Sequence, residues 1–252
     1  MSETKRLLIL GGTGEAAALA RDAHSRFSGR LDIVYSLAGR VKPENTLTVP
    51  VRIGGFGGGT GLADFIKAEQ INLLVDATHP FAATISASAH DACLSTLTPR
   101  LMLARPPWDL PTGAKYLEAD DMDHAARLIS GLAKRVFVTT GQSGLGALGV
   151  CPGVHFLIRI ILEPRTPPAI DDYTLLKDRP PYSLENELAL MEEHKIDALL
   201  TKQSGGEGTI AKIVAATKKN IPIILLKRPL MEPGECVENV DEALKWLEGR
   251  LL

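Results

Sequence analysis

The sequence predicts an α/β fold with mainly parallel sheets, because short apolar runs alternate with longer helical patterns along its 252 residues. The apolar runs are rich in Val, Ile and Leu and are bounded by polar or turn residues, which is typical of strands buried on both faces of a sheet. These runs are residues 7–10, 33–35, 73–75, 101–103, 136–138, 156–161, 198–200 and 223–226. The helical patterns are residues 15–24, 62–69, 82–95, 124–132, 183–193, 209–217 and 241–251.

Three glycine turns support this interpretation, because each directly follows a predicted strand. They are "LLILGGTGEA" near the start, "VFVTTGQSGLGAL" in the middle and "ALLTKQSGGEGTIAKIVAA" towards the end. Their recurrence indicates two Rossmann-like domains. A segment with three prolines and a glycine, residues 106–119, predicts a link between them. We therefore expect an N-terminal domain over 1–110 and a C-terminal domain over 111–252; whether the two exchange a strand stays open.

Composition narrows the class of protein. Hydrophobic residues make up 45% of the chain and charged residues 23%, and the formal net charge is -2, so neither nucleic acid nor a membrane surface is expected as a partner. The three cysteines, Cys93, Cys151 and Cys236, form neither a metal-binding spacing nor a disulfide framework, which predicts no metal site and favours a cytoplasmic location. No signal peptide or apolar stretch of about 18 residues is present.

The first glycine turn has the pattern of a phosphate-binding turn. Gly12, Gly14 and Ala17 fit G-x-G-x-x-A between a strand and a helix. Glycines let a pyrophosphate approach the backbone, and the helix start offers N–H groups and a favourable dipole. The alternative is a purely structural tight turn. The candidate cofactor-binding residues here are Gly11, Gly12, Thr13, Gly14 and Glu15.

The end of the second predicted strand bears on the choice of cofactor. It reads "VYSLAGR", with Ser36 and Arg40 and no acidic residue directly after Asp32. NAD-binding proteins usually carry an acid here for the ribose hydroxyls, whereas a hydroxyl and a guanidinium suit a 2′-phosphate. The sequence therefore favours NADP, unless Arg40 is only a solvated surface cation.

Two further stretches follow strands at places where ligands bind. "VRIGGFGGGTGLADF" is dense in glycine, which indicates either a flexible loop over a ligand or a long, poorly ordered connection. "DATHPFA" places Thr78, His79 and Pro80 beyond a strand end, so we expect them near the cofactor. His79 is a candidate hydrogen-bond or proton donor, although a lone histidine beside a proline is more often structural.

The ordered set "ILGGTGEA", "YSLAGR", "VRIGGFGG", "DATHPFA", "RPPW", "TTG" and "TKQSGG" resembles the precorrin-6A reductase family, from residue 7 to about residue 229. The resemblance implies two Rossmann-like domains with NADP and a tetrapyrrole between them. It also implies hydride reduction of one ring-D double bond of precorrin-6A on the route to cobalamin. The related reductase of the anaerobic route, which acts on the cobalt-loaded ring, and a non-catalytic NADP sensor remain as alternatives.

The implied substrate carries many carboxylate arms, so its site needs cations and N–H donors. The candidate substrate-binding residues are Arg105, Trp108, Thr140, Lys202, Ser204, Gly205 and Gly206. Trp108 either covers the macrocycle or packs into the core. Lys212 is expected to be a solvated helix residue. Ser183 and Asn186 do not form a strong capping box, so Glu185 is a further, weaker candidate for the site. Lys202, His79 and a bound water are the candidate proton donors.

A short motif near residue 175 competes with this family resemblance. "YTLLK" at 173–177 matches the Y-x-x-x-K pattern of short-chain dehydrogenases, but prolines on both sides argue against the helix that this pattern needs. The partners expected are the small-molecule tetrapyrrole and, transiently, neighbouring enzymes of the pathway.

Overall fold

The computed structural model describes residues 4–39 and 47–251. Within these residues the strands form two six-stranded sheets in which every pairing is parallel, so the predicted α/β fold with parallel sheets is confirmed. The strands are β1 (Lys5–Leu10), β2 (Leu31–Leu37), β3 (Val51–Ile53), β4 (Leu73–Asp76), β5 (Arg100–Leu103), β6 (Tyr116–Ala119), β7 (Arg135–Val138), β8 (His155–Ile160), β9 (Tyr173–Lys177), β10 (Ala198–Lys202), β11 (Ile223–Leu226) and β12 (Glu235–Val237). The helices are α1 (Gly14–Arg26), α2 (Gly58–Ala68), α3 (Ala83–Thr96), α4 (Met122–Ile129), α5 (Leu184–Glu193), α6 (Ala211–Lys218) and α7 (Val240–Glu248).

The chain divides into two compact units, and each contains one sheet. The first unit holds the described residues up to Pro106 and those from Pro229 onward; the second holds Pro107–Arg228. The strand order is β12-β5-β4-β1-β2-β3 in the first sheet and β6-β11-β10-β7-β8-β9 in the second. Each sheet has a switch point, between β1 and β4 and between β7 and β10, where the chain changes its direction of winding. Ligands of such sheets bind at the carboxyl ends of the strands beside the switch point.

The C-terminal segment differs from the sequence-based expectation, which placed 111–252 in one domain. β12 pairs with β5, and α7 packs against α1, so the chain returns to the first unit. The reason is hydrophobic: Ala243, Leu244 and Leu247 are buried in the same core cluster as residues of β1 and β2.

The sequence did not predict four of the strands that the structure describes. All four are edge strands: β3 and β12 in the first sheet, β6 and β9 in the second. Edge strands are exposed on one side and lack the continuous apolar run of a central strand. β6 lies inside the segment that the sequence analysis interpreted as a link. β9 is the "YTLLK" segment, so the rejection of a dehydrogenase helix there is confirmed.

Each sheet is packed against helices on a continuous apolar core. In the first unit, one core cluster joins β1 and β2 to α1 and α7, and another joins β1 and β4 to α2 and α3. In the second unit, a cluster joins β7, β10 and β11 to α5 and α6. No helix in the part of the chain described is long and apolar enough to cross a membrane.

Candidate functional site

The glycine turn after β1 is built around the side chain of Tyr35, which lies on β2. A Cβ on Gly11 would lie 2.2 Å from Cζ of Tyr35, so the ring fits only against a glycine. The next residue, Gly12, has φ +113°, a backbone conformation that residues with a side chain rarely adopt, and its N–H donates to Oη of Tyr35 at 3.1 Å. The two glycines are therefore required by the turn itself.

Thr13 connects this turn to the neighbouring strand across the switch point. Its Oγ1 accepts from the N–H of Ala16 at 3.1 Å, which caps α1, and donates to the carbonyl of Ala77 at 2.8 Å, just beyond β4. The hydroxyl of Thr13 is thus used to hold the fold, and the main-chain N–H remains as its contribution to a ligand.

The start of α1 presents a row of amide donors. Among the described residues, no protein acceptor meets the N–H groups of Thr13, Gly14 and Glu15. A Cβ on Gly12 or Gly14 would meet no atom within 4 Å, so open space lies in front of the turn. Donors at a helix start, the helix dipole and room for close approach together fit a pyrophosphate.

Glu15 and Arg105 form an ion pair at this end of the sheet. Nη1 of Arg105 lies 3.0 Å from Oε1 and 2.9 Å from Oε2 of the carboxylate, and the two side chains are 17% and 31% exposed. The sequence predicts a cofactor-binding role for Glu15 and a substrate-binding role for Arg105. The structure places them in direct contact.

The ends of β2 and β3 lie side by side, with Ser36 in register with Arg52. Ser36 is buried, and Arg40 lies outside the described residues. Arg52, which the sequence analysis did not single out, donates to the carbonyls of Gly54 and Gly55 at 2.5 and 2.7 Å.

The guanidinium of Arg52 also lies over the ring of Phe56, 3.9 Å from its centroid. The glycine-rich loop after β3 is therefore folded around an arginine in the structure and is not a loosely organised connection.

The end of β4 is organised by Asp76, a residue that sequence reasoning missed. Asp76 is 5% exposed, and its Oδ1 accepts from Oγ1 of Thr78 at 2.7 Å and from the N–H of Thr78 at 3.2 Å. Nδ1 of His79 accepts from the N–H of Phe81 at 3.2 Å, so the neutral imidazole carries its proton on Nε2. Pro80 follows, half-buried. Thr78, His79 and Pro80 thus lie in one ordered turn beside the switch point.

The second unit repeats this arrangement with different side chains. Thr140 follows β7, and Lys202 ends β10, so both lie beside the second switch point. Thr140 is 4% exposed, and no described residue forms a hydrogen bond with its Oγ1. Lys202 is half-buried. Gly205 and Gly206, with φ of +68° and +82°, form the turn that follows.

Trp108 is hydrogen-bonded to this second turn through its main chain and its indole. Its main-chain N–H donates to Oε1 of Gln203 at 3.1 Å, and Nε2 of Gln203 donates back to its carbonyl at 3.2 Å. Nε1 of the indole donates to the carbonyl of Gly206 at 2.6 Å. Trp108 is 7% exposed and belongs to the core cluster of the unit. Trp108 therefore packs into the core of the second unit, which is one of the two roles expected for it.

Lys212 is buried, so the expectation of a solvated helix lysine is wrong. It is 5% exposed, its Nζ lies 4.7 Å from the centroid of the Trp108 indole, and it donates to the carbonyl of Thr209 at 2.7 Å. Arg228 adds a second cation under the turn, donating to the carbonyls of Gln203 and Ser204 at 2.7 and 3.0 Å. The turn therefore rests on two cations, which favour an anion beside it.

A buried ion pair lies on the opposite side of the second sheet's switch point. Nη2 of Arg159, on β8, donates to Oε1 of Glu187, on α5, at 2.7 Å, and the two side chains are 6% and 1% exposed. The ring of Tyr182 covers the guanidinium at 3.9 Å, and burial raises the pKa of its phenol. Ser183 caps α5 by accepting from the N–H of Asn186 at 3.2 Å, so its role is in the helix.

Together these features define the class of protein. The first unit is a parallel sheet with a glycine turn, a row of amide donors at a helix start and an ordered turn across the switch point, which is the arrangement of a dinucleotide-binding α/β protein. The second unit provides a second, cationic glycine turn.

Comparison with known proteins gives the family. The family model described as "Precorrin-6x reductase CbiJ/CobK" matches residues 6–248. A precorrin-6A reductase of Mycobacterium tuberculosis is 43% identical over 246 residues, covering 97% of this chain and 98% of the relative. One from Rhodococcus erythropolis is 44% identical over 245 residues, covering 96% and 97%.

A solved structure titled "CobK precorrin-6A reductase" superposes with a TM-score of 0.90 at 32% identity, covering 98% of this chain and 97% of that one. The chain belongs to the precorrin-6x reductase family. A reductase of this kind implies a nicotinamide cofactor, for which the first glycine turn is suited.

Proposed function

We propose that this chain reduces precorrin-6A to its dihydro form, precorrin-6B, with NADPH, as a step in cobalamin biosynthesis. The observation that carries the proposal is the similarity to precorrin-6A reductases along almost the whole chain, since it includes both units. A nucleotide-binding domain alone would match only in the first unit.

The cofactor proposed is NADP. Thr13, Gly14 and Glu15 offer consecutive amides to the pyrophosphate. Beyond Ser36 the chain has no acidic residue before Glu44, so this stretch of sequence lacks the carboxylate that would favour the ribose diol of NAD. Arg40, four residues after Ser36, would supply the charge-assisted hydrogen bonds that a phosphate dianion needs.

The substrate site proposed is rich in donors for carboxylates. In the second unit, Lys202 and the amides of Gly205 and Gly206 lie on a turn that contacts the buried cation of Lys212 and the half-buried cation of Arg228. A carboxylate arm at this turn would be held by charge and by main-chain N–H groups.

The reduction requires one hydride and one proton, and the bound nicotinamide supplies the hydride. The protein would contribute by aligning the nicotinamide with the substrate and by excluding water from the site. Asp76 fixes the turn that carries His79, whose Nε2–H is the donor end of the ring. Lys202 or a bound water is proposed to deliver the proton. His79 is proposed to donate a hydrogen bond from Nε2–H to the substrate, because a neutral imidazole is too weak an acid to give up that proton.

Anaerobic turnover tests the proposal. The purified protein is incubated with enzymatically prepared precorrin-6A and, in parallel, with NADPH and NADH, and the visible spectrum of the tetrapyrrole is followed. Conversion that is faster with NADPH is expected. No conversion, while NADPH still binds, would overturn the proposal. Conversion of only the cobalt-loaded ring would then assign the chain to the anaerobic route, and no conversion of either ring would indicate a sensor.

We also propose that the reaction takes place in the cytoplasm, with substrate received from and product passed to neighbouring enzymes. The scattered cysteines support the location, because they suit a reducing compartment.

A further inference from the structure

The ion pair between Glu15 and Arg105 occupies a particular place in the first sheet. Glu15 is the second residue of α1, immediately after the glycine turn, whereas Arg105 is the second residue after β5. In the strand order, β4 lies between β1 and β5. Since adjacent strands are about 4.8 Å apart, the two residues leave the sheet about 10 Å from each other. The pair therefore spans the carboxyl end of β4.

The carboxyl end of β4 lies on the same side of the switch point as the candidate donor His79. The carboxyl end of β4 leads into the turn with Thr78 and His79. A dinucleotide whose pyrophosphate lies on the turn after β1 extends one half towards β2 and the other towards β4. Because the 2′-phosphate assignment places the adenosine half at β2, the nicotinamide half falls on the β4 side, beside Arg105.

The charge of Glu15 does not suit a cofactor ligand. A carboxylate only accepts hydrogen bonds, as do the oxygens of a pyrophosphate, so the two repel each other at the start of the same helix. Both carboxylate oxygens instead lie within 3.0 Å of Nη1 of Arg105. The guanidinium of arginine is a rigid planar fork, so a carboxylate held at one of its nitrogens fixes the orientation of the whole group.

We propose that Glu15 is a positioning residue for Arg105, and that the oriented guanidinium receives a carboxylate arm of the substrate beside the nicotinamide. This inference rests on the proposed function and adds to it that Glu15 orients the substrate-binding cation of Arg105. It also reassigns the carboxylate of Glu15, which acts through Arg105 and not on the cofactor, whereas the main-chain N–H of Glu15 keeps its place in the phosphate-binding turn. The pair cancels the charge of Glu15 next to the phosphate-binding turn.

The test is a double-mutant cycle with two readouts, KM for precorrin-6A and Kd for NADPH. Glu15→Gln removes the charge and keeps the shape, and Arg105→Lys keeps the charge and removes the planar fork. Each single change is expected to raise KM roughly tenfold, and the double change no more than either alone, because both break the same pair. Kd for NADPH is expected to stay within about twofold or to tighten in Glu15→Gln.

A matched control is Glu248→Gln, which breaks the exposed Arg26–Glu248 pair of the same unit, where Nη2 lies 2.9 Å from Oε2. It should leave both readouts unchanged. Weaker NADPH binding by Glu15→Gln with an unaltered KM would overturn the inference and restore Glu15 as a cofactor ligand. Additive effects in the double variant would also overturn it. Failure of the proposed function is distinguishable, since the unmodified protein would then not turn over precorrin-6A.

Discussion

The N–H of Gly12 and the phenol of Tyr35 are joined by a hydrogen bond of 3.1 Å inside the first glycine turn. The same aromatic ring occupies the place where a side chain on Gly11 would stand. A residue of β2 therefore determines both the sequence and the shape of the turn after β1. The turn is formed before any ligand arrives, and this reduces the ordering cost of binding.

Tyr35→Phe should loosen this turn. The N–H of Gly12 loses its part-buried hydrogen bond to the phenol, and the loss of such a bond costs about 0.5–1.5 kcal/mol. We expect the free energy of unfolding to fall by about that amount, measured by urea titration, and NADPH to bind several-fold more weakly.

Tyr116→Phe is the matched control for this change, since Tyr116 is 49% exposed on an edge strand and should show neither effect. An unaltered free energy of unfolding in Tyr35→Phe would show that the hydrogen bond contributes nothing to the turn.

Arg40→Ala should weaken the binding of NADPH and leave the binding of NADH unchanged. A charge-assisted hydrogen bond contributes about 1.5–3 kcal/mol, which corresponds to roughly a tenfold to hundredfold loss in affinity for NADPH. NADH lacks the 2′-phosphate, so its Kd should not change. Titration of both reduced cofactors by fluorescence measures the ratio.

An exposed arginine elsewhere in the first unit, Arg30, provides the control for lost positive charge. Arg30→Ala should leave the NADPH to NADH ratio of Kd values as it is. If Arg40→Ala weakens both cofactors equally, the 2′-phosphate is bound elsewhere, and Arg52, in register with Ser36, becomes the next residue to test.

Trp108→Phe should impair the second turn while leaving the first intact. The variant keeps an aromatic ring in the core but loses the donor to the carbonyl of Gly206. It also weakens the aromatic surface over which Nζ of Lys212 lies. We expect KM for precorrin-6A to rise several-fold with Kd for NADPH unchanged.

Trp246→Phe provides the comparison in the first unit. Its Nε1 is buried and meets no acceptor in the part of the chain described, so the change removes no hydrogen bond. Both kinetic readouts should match those of the unmodified protein. A rise in Kd for NADPH with Trp108→Phe would contradict the assignment of the second turn to the substrate.

Lys202→Ala tests whether the second switch point takes part in turnover. Loss of a cation beside a carboxylate-binding turn should raise KM for precorrin-6A roughly tenfold, and kcat should fall as well if Lys202 delivers the proton. Lys219→Ala, which removes a half-buried lysine paired with the exposed Glu192, is the control. Unchanged KM and kcat in Lys202→Ala would mean that this turn has only a structural role.

The sequence could predict the central strands and the first turn because these depend on local pattern. A run such as 7–10 followed by glycines needs no knowledge of its neighbours. The edge strands β3, β6, β9 and β12 could not be found this way, since their pairing with a central strand, and not their composition, makes them strands.

The site was only partly predictable for the same reason. Thr78 and His79 follow a strand in the sequence, and the structure places them at its carboxyl end. The pairing of Glu15 with Arg105 joins residues 90 positions apart, and no local pattern indicates it. The burial of Lys212 depends on an indole 104 positions away, so a helical lysine could only be expected to be solvated.

The buried pair of Arg159 and Glu187 carries the clearest prediction for stability. Removal of one partner leaves a charge in a site that is 6% or 1% exposed, which costs about 3–5 kcal/mol. Arg159→Met and Glu187→Leu should each lower the free energy of unfolding by about this amount. The double variant should recover most of the loss, because no buried charge remains: Asp178, which also lies 3.7 Å from Arg159, is 44% exposed. Urea titration at neutral pH measures all three proteins.

The phenol of Tyr182 reports on the same pair through pH. Burial raises its folded pKa, and the charge of Arg159 opposes that rise, so Arg159→Met should raise the Tyr182 pKa further. A raised folded pKa means that the neutral phenol stabilises the fold below the unfolded pKa of about 10, and that this stabilisation is lost as the pH rises through the folded value. Ultraviolet titration of tyrosinate, with Tyr182→Phe to assign the signal, measures the shift. A Tyr182 pKa that fell in Arg159→Met would mean that the guanidinium does not lie over the ring in solution.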